Sequence, residues 1–596
     1  MNQELDTPQF QERLRAIAVE TGRDLAAIQA EAVADLKEMQ TKPGNLTVKG
    51  WDRFCRWLAR AYGLDYNTEE IRRLRELNKT SSLIFLPNHR SYLDPLVLRS
   101  ALQKFGFPPN NVLGGANLAL WPLSLIGQRN GIVFIRREFR DDPVYRAVLK
   151  RYLAYLIENK RNLEWYIEGG RTRTGKLRPP RYGVLSYVLD AFGEEPENEV
   201  HVIPTSIIYD AQHEVSAISL EEMGGSKTPE SFKWLYNFAR SQSNRLGKAH
   251  LRFGEPLSLG DAVELTRDEE GHTRPRLAVP MVAFELSNRI NAVTPITPAA
   301  LVTFALLDNG SRAITVTEGR RILEPLMTYI NRRQLPMTGN IDLSSYGLLR
   351  DSIMSLVDKG VISLFEGGHD QVLYIELEHQ HEAAFYRNTI IHFFVNRAIT
   401  ELAVMQAVQD GADEIKLAVW ENARRLKDLL KFEFFFPRTV EFAQHIADEA
   451  SYIDPNWETT DYTPEQIDKI LQTRPLLLAH RVVGPFLESY LLLAQELAKL
   501  DDYVRGDQDQ LVQQCIGVAK QRWLQQELHS AESISRDYFK NAYLLAENLG
   551  LIGSGEAGLQ KRRQEFADEM QTLVDRISRL REIDQNNLGL AEADHV

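Results

Sequence analysis

The sequence predicts an α/β domain followed by a long, mainly helical region. Four short apolar runs, starting at Ser81, Gly131, Trp165 and Val200, each end in polar or turn residues. Helical patterns separate them, the order expected of a sheet whose strands are joined by helices. From about residue 380 the pattern is amphipathic helix almost throughout, as over 417–431 and 558–581.

The elements follow in order. Residues 8–40 are acidic and alanine-rich and read as helix, stopped at Lys42-Pro43-Gly44-Asn45. Residues 48–77 form a helical lead-in. The run from Ser81 to Pro87 is short and apolar, as a buried strand is. Asp94-Pro95 then reads as an N-cap with proline at the first helical position. Residues 131–137 form a second strand ending in two arginines, and residues 165–167 form a third that enters a glycine-rich, cationic turn through Lys176. Residues 200–210 are a fourth. Leu251 to Pro256 reads as a last strand and turn, and 261–276 as a loop. Residues 299–377 hold two helical patterns before a β-rich stretch over 360–375, a winged-helix-like order. The expected segments are 1–45 (helical), 46–290 (the α/β domain), 291–378 (winged-helix-like) and 379–596 (helical).

Composition sets outer bounds. The chain has 596 residues, too many for one ordinary domain, and its 43% hydrophobic and 26% charged content is globular. Two cysteines exclude a disulfide framework or a cysteine-rich zinc site. The first residues are acidic and polar, so no secretory signal is expected. No stretch qualifies as a membrane span: 118–135 is interrupted by Gln128-Arg129-Asn130, and 476–493 contains His480, Arg481, Pro485 and Glu488.

The chemistry starts at His89-Arg90-Ser91-Tyr92-Leu93-Asp94. Along a regular helix five residues rotate about 140°, which would part the two side chains. A loop folding back onto a helix start brings them together. The carboxylate then fixes the imidazole tautomer and leaves the other ring nitrogen free to take a proton. No Gly-x-Ser-x-Gly elbow is present and both cysteines lie outside these runs, so direct transfer fits better than a covalent intermediate on the protein. Arg136, Arg137, Arg171 and Arg173 suit a phosphate-bearing acceptor, with Gly169 and Gly170 letting the backbone approach it. Residues 129–181 hold fourteen Lys/Arg against six Asp/Glu in a chain of net charge −12. That concentration suggests an anion-binding face.

The ordered set NHRSYLD, GIVFIRR, YIEGGRTRTGK and VIPTSIIYD resembles the four motif blocks of the glycerol-3-phosphate acyltransferases, over roughly residues 50–260. The resemblance implies an acyltransferase domain with a mixed β-sheet flanked by helices, beside an N-terminal helical segment and a large helical C-terminal region. It implies transfer of a fatty acyl group from acyl-CoA or acyl carrier protein to the sn-1 hydroxyl of glycerol 3-phosphate, the first step of phospholipid synthesis. His89 is then the base and Asp94 its orienting partner. Glu168 falls at the substrate site and Pro204 near the acyl pocket. No metal or other cofactor is implied. Dihydroxyacetone phosphate is the alternative acceptor, and a non-catalytic, membrane-associated helical protein the alternative class.

Since acyl donor and lysophosphatidate product are amphiphiles, peripheral binding to an anionic membrane surface, on the cytoplasmic face, is expected. Candidate contacts are 118–125 and 432–437, both weighed against ordinary core, which is favoured for the second. Nucleic acid is not an expected partner, because the candidate recognition helix at 344–359 nets zero charge, with Arg350 and Lys359 against Asp351 and Asp358. His379 and His381 beside Glu376 and Glu378 read as a solvated charged segment rather than a metal site.

Overall fold

The protein is represented by a computed structural model that describes residues 6–41, 44–115, 123–136, 141–194, 199–225, 240, 246–264, 278–309, 312–339, 343 and 345–589. Two compact units form: residues 1–172, 177–209 and 231–294, and residues 173–176, 210–230 and 295–596.

The helix expected over 8–40 is two helices, α1 (Pro8–Thr21) and α2 (Leu25–Met39). Gly22 ends the first at φ +65°, and the Asp24 carboxylate receives the Ala27 N–H to start the second. The lead-in over 48–77 also divides, into α3 (Asn45–Leu58), strand β1 (Tyr62–Tyr66) and α4 (Thr68–Leu77). Five residues of alternation, one of them Gly63, are too brief to stand out between two helical patterns.

Seven more strands complete the sheet: β2 (Ser82–Pro87), β3 (Asn111–Gly115), β4 (Ile132–Ile135), β5 (Leu163–Glu164), β6 (Val200–Tyr209), β7 (Gly247–Phe253) and β8 (Leu257–Ser258). Their order is β1-β7-β6-β2-β5-β3-β4, with β8 also on β6. The sheet is mixed, as expected: β6 runs antiparallel to β7 and β8, while β2 is parallel to both of its neighbours, β5 and β6. Helices α5 (Asp94–Lys104), α6 (Pro143–Glu158) and α7 (Tyr182–Glu194) connect strands. All six residues of β2 are buried, and Leu83 and Phe85 share a core with Val97 and Leu98 of α5, Ile203 and Ile207 of β6 and Leu251 of β7. The third apolar run pairs earlier than its pattern implies, at Leu163–Glu164, with Trp165 N–H reaching Phe85 O at 3.3 Å.

Pro204 sits inside β6, where proline is unusual. It falls between the residues that face β8 (201–202) and those that face β7 (205–209). Its carbonyl accepts from Gly254 N–H at 2.7 Å, so its missing N–H falls on the side where β6 changes partner.

The second unit holds a small antiparallel sheet, β10 (Ser363–Phe365), β11 (Val372–Tyr374) and β9 (Ile314–Thr315) in that order, and helices including Gln380–Asn388, Val395–Gln409, Gly484–Ala498 and Leu559–Asn587. Phe434 lies in its core with Phe432 and Phe436 packed against it, so the run at 432–437 is interior rather than a lipid-facing patch. No helix among the described residues is long and apolar enough to cross a membrane.

Arg563 is buried, and its guanidinium donates to five backbone carbonyls, those of Leu500, Asp501, Val504, Leu551 and Gly553, at 2.8–3.2 Å. One side chain thus satisfies the turns around residues 500–504 and 551–553. Arg563→Ala strands those acceptors and is expected to destabilise this unit by about 3–5 kcal/mol. Denaturant unfolding followed by far-UV circular dichroism checks it.

Candidate active site

Because β2, β5 and β6 are parallel, their carboxyl ends open at one edge of the sheet, where α/β folds place ligands. Past Pro87, Asn88 prolongs the ladder. Its N–H reaches Thr205 O at 3.2 Å, its Oδ1 accepts from Ile207 N–H at 2.8 Å, and its Nδ2 donates to Ile207 O at 3.2 Å. His89 therefore leaves the sheet from a fixed point.

His89 Nδ1 lies 2.9 Å from Asp94 Oδ2. That same oxygen accepts the Arg90 and Ser91 N–H groups at 2.6 and 2.9 Å, while Oδ1 accepts the Tyr209 hydroxyl at 2.7 Å. Asp94 is not the N-cap that the sequence suggests. Leu93 precedes α5, and its carbonyl takes the Leu96 and Val97 N–H groups, while the Asp94 carboxylate turns back to its own loop. The carboxylate is fully buried, and the imidazole is 19% exposed. Among the described residues no hydrogen bond occupies Nε2, the nitrogen a base would use.

The loop after β5 is tied to this one. Both oxygens of the buried Glu168 take main-chain donors, His89 N–H at 2.6 Å and Arg178 N–H at 2.9 Å, and Thr172 N–H reaches His89 O at 2.9 Å. Burial raises the Glu168 pKa, opposed by those amides and by Arg90. Glu168 thus shapes the loops. Gly169 has φ +65°, and a Cβ there would meet Arg181 Cγ at 2.8 Å. Gly170 runs close to Arg178, whose Nη1 donates to Arg171 O at 3.4 Å. Arg171 lies over the Tyr92 ring at 3.6 Å. Arg90 is buried; burial lowers its pKa to about 10, against the attraction of Glu168 and Asp94.

Tyr166 packs its ring on His89, centroids 4.2 Å apart, and donates its hydroxyl to Glu164 Oε1 at 3.2 Å. Burial pushes the Glu164 pKa up to about 7, although Asn110 and Tyr166 donate to it.

Other candidates are held elsewhere. Arg136 pairs with Asp35, Glu38 and Asp142 at 2.9, 2.5 and 3.6 Å, and its bond to Glu38 raises the guanidinium pKa. Arg137 and residues 118–122 lie outside the described residues. Arg173 belongs to the second unit, 3.4 Å from Glu221 and 3.8 Å from Asp537. Lys176 is there too, paired with Glu433 and ringed by Phe434, Phe486 and Tyr538. His379 stays near Glu378 and Glu382, while His381 points at Ile534 O, 3.2 Å away, with burial lowering its pKa to about 4. A cavity of about 270 Å³ in the second unit, with Asp210, Leu343 and Ser352 in its wall, is lined among the described residues by neither imidazole nor guanidinium.

Asn88, Arg90, Glu164, Tyr166, Arg178 and Tyr209 were not singled out in the sequence. For Tyr209 the sole signal is that it closes the fourth apolar run.

An acyltransferase family model matches residues 66–208, and the model for the C-terminal region of glycerol-3-phosphate acyltransferases matches residues 220–555. The chain belongs to the glycerol-3-phosphate acyltransferase family. It is 39% identical over 587 residues to the putative acyltransferase plsB1 of Mycobacterium bovis and to that of Mycobacterium tuberculosis, covering 98% of this chain and 94% of theirs. A glycerol-3-phosphate acyltransferase of Pasteurella multocida is 27% identical over 404 residues, 66% of this chain and 49% of its own. A solved 1-acyl-sn-glycerophosphate acyltransferase from Thermotoga maritima overlaps 40% of this chain and 78% of its own at 17% identity, with a TM-score of 0.25. The acyltransferase match spans the whole loop set from His89 to Arg181.

Glu164 makes folding pH-dependent. Its raised pKa means the fold favours the neutral acid: that contribution is complete below 4.5 and is lost as pH rises through about 7. Glu164→Gln is expected to flatten this fall, gaining about 2–3 kcal/mol on wild type between pH 5 and pH 8. Urea midpoints across that range check it.

Proposed function

We propose that the protein transfers a fatty acyl group from an acyl thioester, acyl-CoA or acyl carrier protein, to the sn-1 hydroxyl of glycerol 3-phosphate. The observation that carries the reading is the imidazole held through Nδ1 by a buried carboxylate, with Nε2 left open at the carboxyl edge of the sheet.

His89 Nε2 takes the proton of the attacking hydroxyl, and the new C–O bond forms on the thioester carbonyl. When the tetrahedral intermediate collapses the C–S bond breaks, and the imidazolium returns its proton to the departing thiolate. Asp94 holds the tautomer and favours the transient positive charge, a pairing that typically contributes about 10²–10⁴-fold. No residue of the protein is acylated.

Arg171 and Arg178 lie on the loop tied to His89 and suit the acceptor phosphate by that position, whereas Arg136 is held by three carboxylates. Arg137 remains a candidate for the same role by its place in the GIVFIRR motif. Glycerol 3-phosphate is favoured over dihydroxyacetone phosphate by the name of the Pasteurella multocida relative and of the family model over residues 220–555. Peripheral attachment to the cytoplasmic face of the membrane follows from the amphiphilic donor and product.

Free-thiol release from palmitoyl-CoA, with and without glycerol 3-phosphate, tests the reading. Acceptor-dependent release is expected, and its absence with both CoA and carrier-protein donors favours a non-catalytic protein. Faster release with dihydroxyacetone phosphate reassigns the acceptor. His89→Ala is expected to lower kcat by at least about 10³-fold with the fold intact by circular dichroism.

Losing one charged hydrogen bond costs about 1.5–3 kcal/mol. Arg171→Ala is therefore expected to raise the KM for glycerol 3-phosphate about 10–100-fold, leaving that for the acyl donor unchanged. A change confined to the donor contradicts the phosphate role.

A further inference from the structure

Helix α3 has three faces. Cys55 and Leu58 are buried, and Asp52 pairs with Arg99 of α5 at 2.8 Å, so one face is packed on the protein. A second carries Trp51, Phe54 and Trp57, three apart and therefore on one stripe. Their rings contact one another, at 5.3 Å for Trp51–Phe54 and 6.0 Å for Phe54–Trp57. Phe54 is 39% and Trp57 48% exposed. At about 100° per residue, Lys49, Arg53 and Arg56 fall on the third face, beside the stripe and away from the packed side, and all three are exposed. Arg60 follows, its guanidinium 4.2 Å over the Trp57 ring.

Two neighbouring aromatic rings turned to water, with a half-buried third beside them, are costly for a surface that only faces solvent. A helix that merely covers a core has no need of them. Residues 45–61 hold four cations and one acid, that acid already paired with Arg99, within a chain of net charge −12. Aromatic rings that sit at the headgroup level, bordered by arginines and a lysine, match an interface between water and anionic lipid.

We infer that α3 docks the first unit onto an anionic lipid surface, with Phe54 and Trp57 entering the headgroup region and Lys49, Arg53 and Arg56 meeting lipid phosphates. The inference rests on the acyltransferase reading for its purpose, since an enzyme with amphiphilic substrates gains from working at the bilayer. Its geometry stands by itself. Helix α3 packs on α5, the helix that begins at Asp94, so the docked element adjoins the one that carries the site's carboxylate.

The full-length protein is sedimented with vesicles of phosphatidylcholine alone, and with vesicles in which about one third is phosphatidylglycerol. Wild type is expected to pellet with the anionic vesicles. The pair Phe54→Ser and Trp57→Ser is expected to lower the bound fraction at least about tenfold, and the pair Arg53→Glu and Arg56→Glu to bring it to the level on neutral vesicles. Both pairs should keep thiol release from a short-chain, non-micellar acyl thioester within about twofold of wild type, since neither touches the His89 loop. If the serine pair fails to fold by circular dichroism, the exposed charge-reversal pair still decides.

Two results overturn the inference: both substituted proteins pelleting as wild type does, or wild type forming a dimer by analytical ultracentrifugation that the serine pair dissociates, with no vesicle binding. The second assigns the stripe to another copy of the chain. Vesicle binding without any acceptor-dependent thiol release leaves the docking surface standing and removes the acyltransferase reading instead.

Discussion

The buried carboxylate of Asp94 is the constraint on which the rest of the site depends. An ionised carboxylate has several acceptor positions, and leaving one empty in a dry interior costs far more than filling it. Here four donors fill them: two backbone amides from the loop, the Tyr209 hydroxyl from the end of β6, and His89 Nδ1. Three pieces of chain therefore meet at one functional group. Moving the loop, the helix start or the strand end alone would unsatisfy the carboxylate, so the imidazole is aimed by the same bonds that stabilise the fold.

A second buried carboxylate does for the neighbouring loop what Asp94 does for the first. Glu168 joins the amides of His89 and Arg178, which lie on either side of the glycine turn. Between these two acids lies Arg90, buried, its pKa lowered only to about 10 and so still cationic at neutral pH. Removing Arg90's charge would take from both buried carboxylates an attraction that the interior screens poorly. The geometry around His89 is built from backbone donors and interior charges, which are fixed by the fold itself.

The sheet and the pairing of His89 with Asp94 were legible because each leaves a local mark. Six apolar residues before a proline make β2 visible, and a histidine and aspartate five apart in a loop are close wherever that loop folds. What was not legible depends on distant partners. Tyr209 lies 115 residues from Asp94, and nothing in VIPTSIIYD says that its last ring reaches back to the first motif. Glu164 reads as an ordinary strand end until burial beside Tyr166 and Asn110 changes its acidity. The strand at Tyr62–Tyr66 was hidden for the opposite reason: its signal is local, but shorter than the helical patterns around it.

The same distinction explains why counting arginines did not locate a phosphate grip. Excess positive charge over residues 129–181 is a property of the sequence, whereas availability is a property of partners. Arg136 meets Asp35 and Glu38, which come from α2 about a hundred residues earlier, and Lys176 meets Glu433 more than two hundred residues later. Those cations stabilise the fold. Gly175 precedes Lys176 at φ +85°, and a Cβ there would collide with Phe385 O, so only glycine fits the turn. The glycines of the motif are thus divided between two duties: Gly169 shapes the loop beside the imidazole, and Gly175 fits its tail into the second unit. One continuous motif in sequence is, physically, two structures joined end to end.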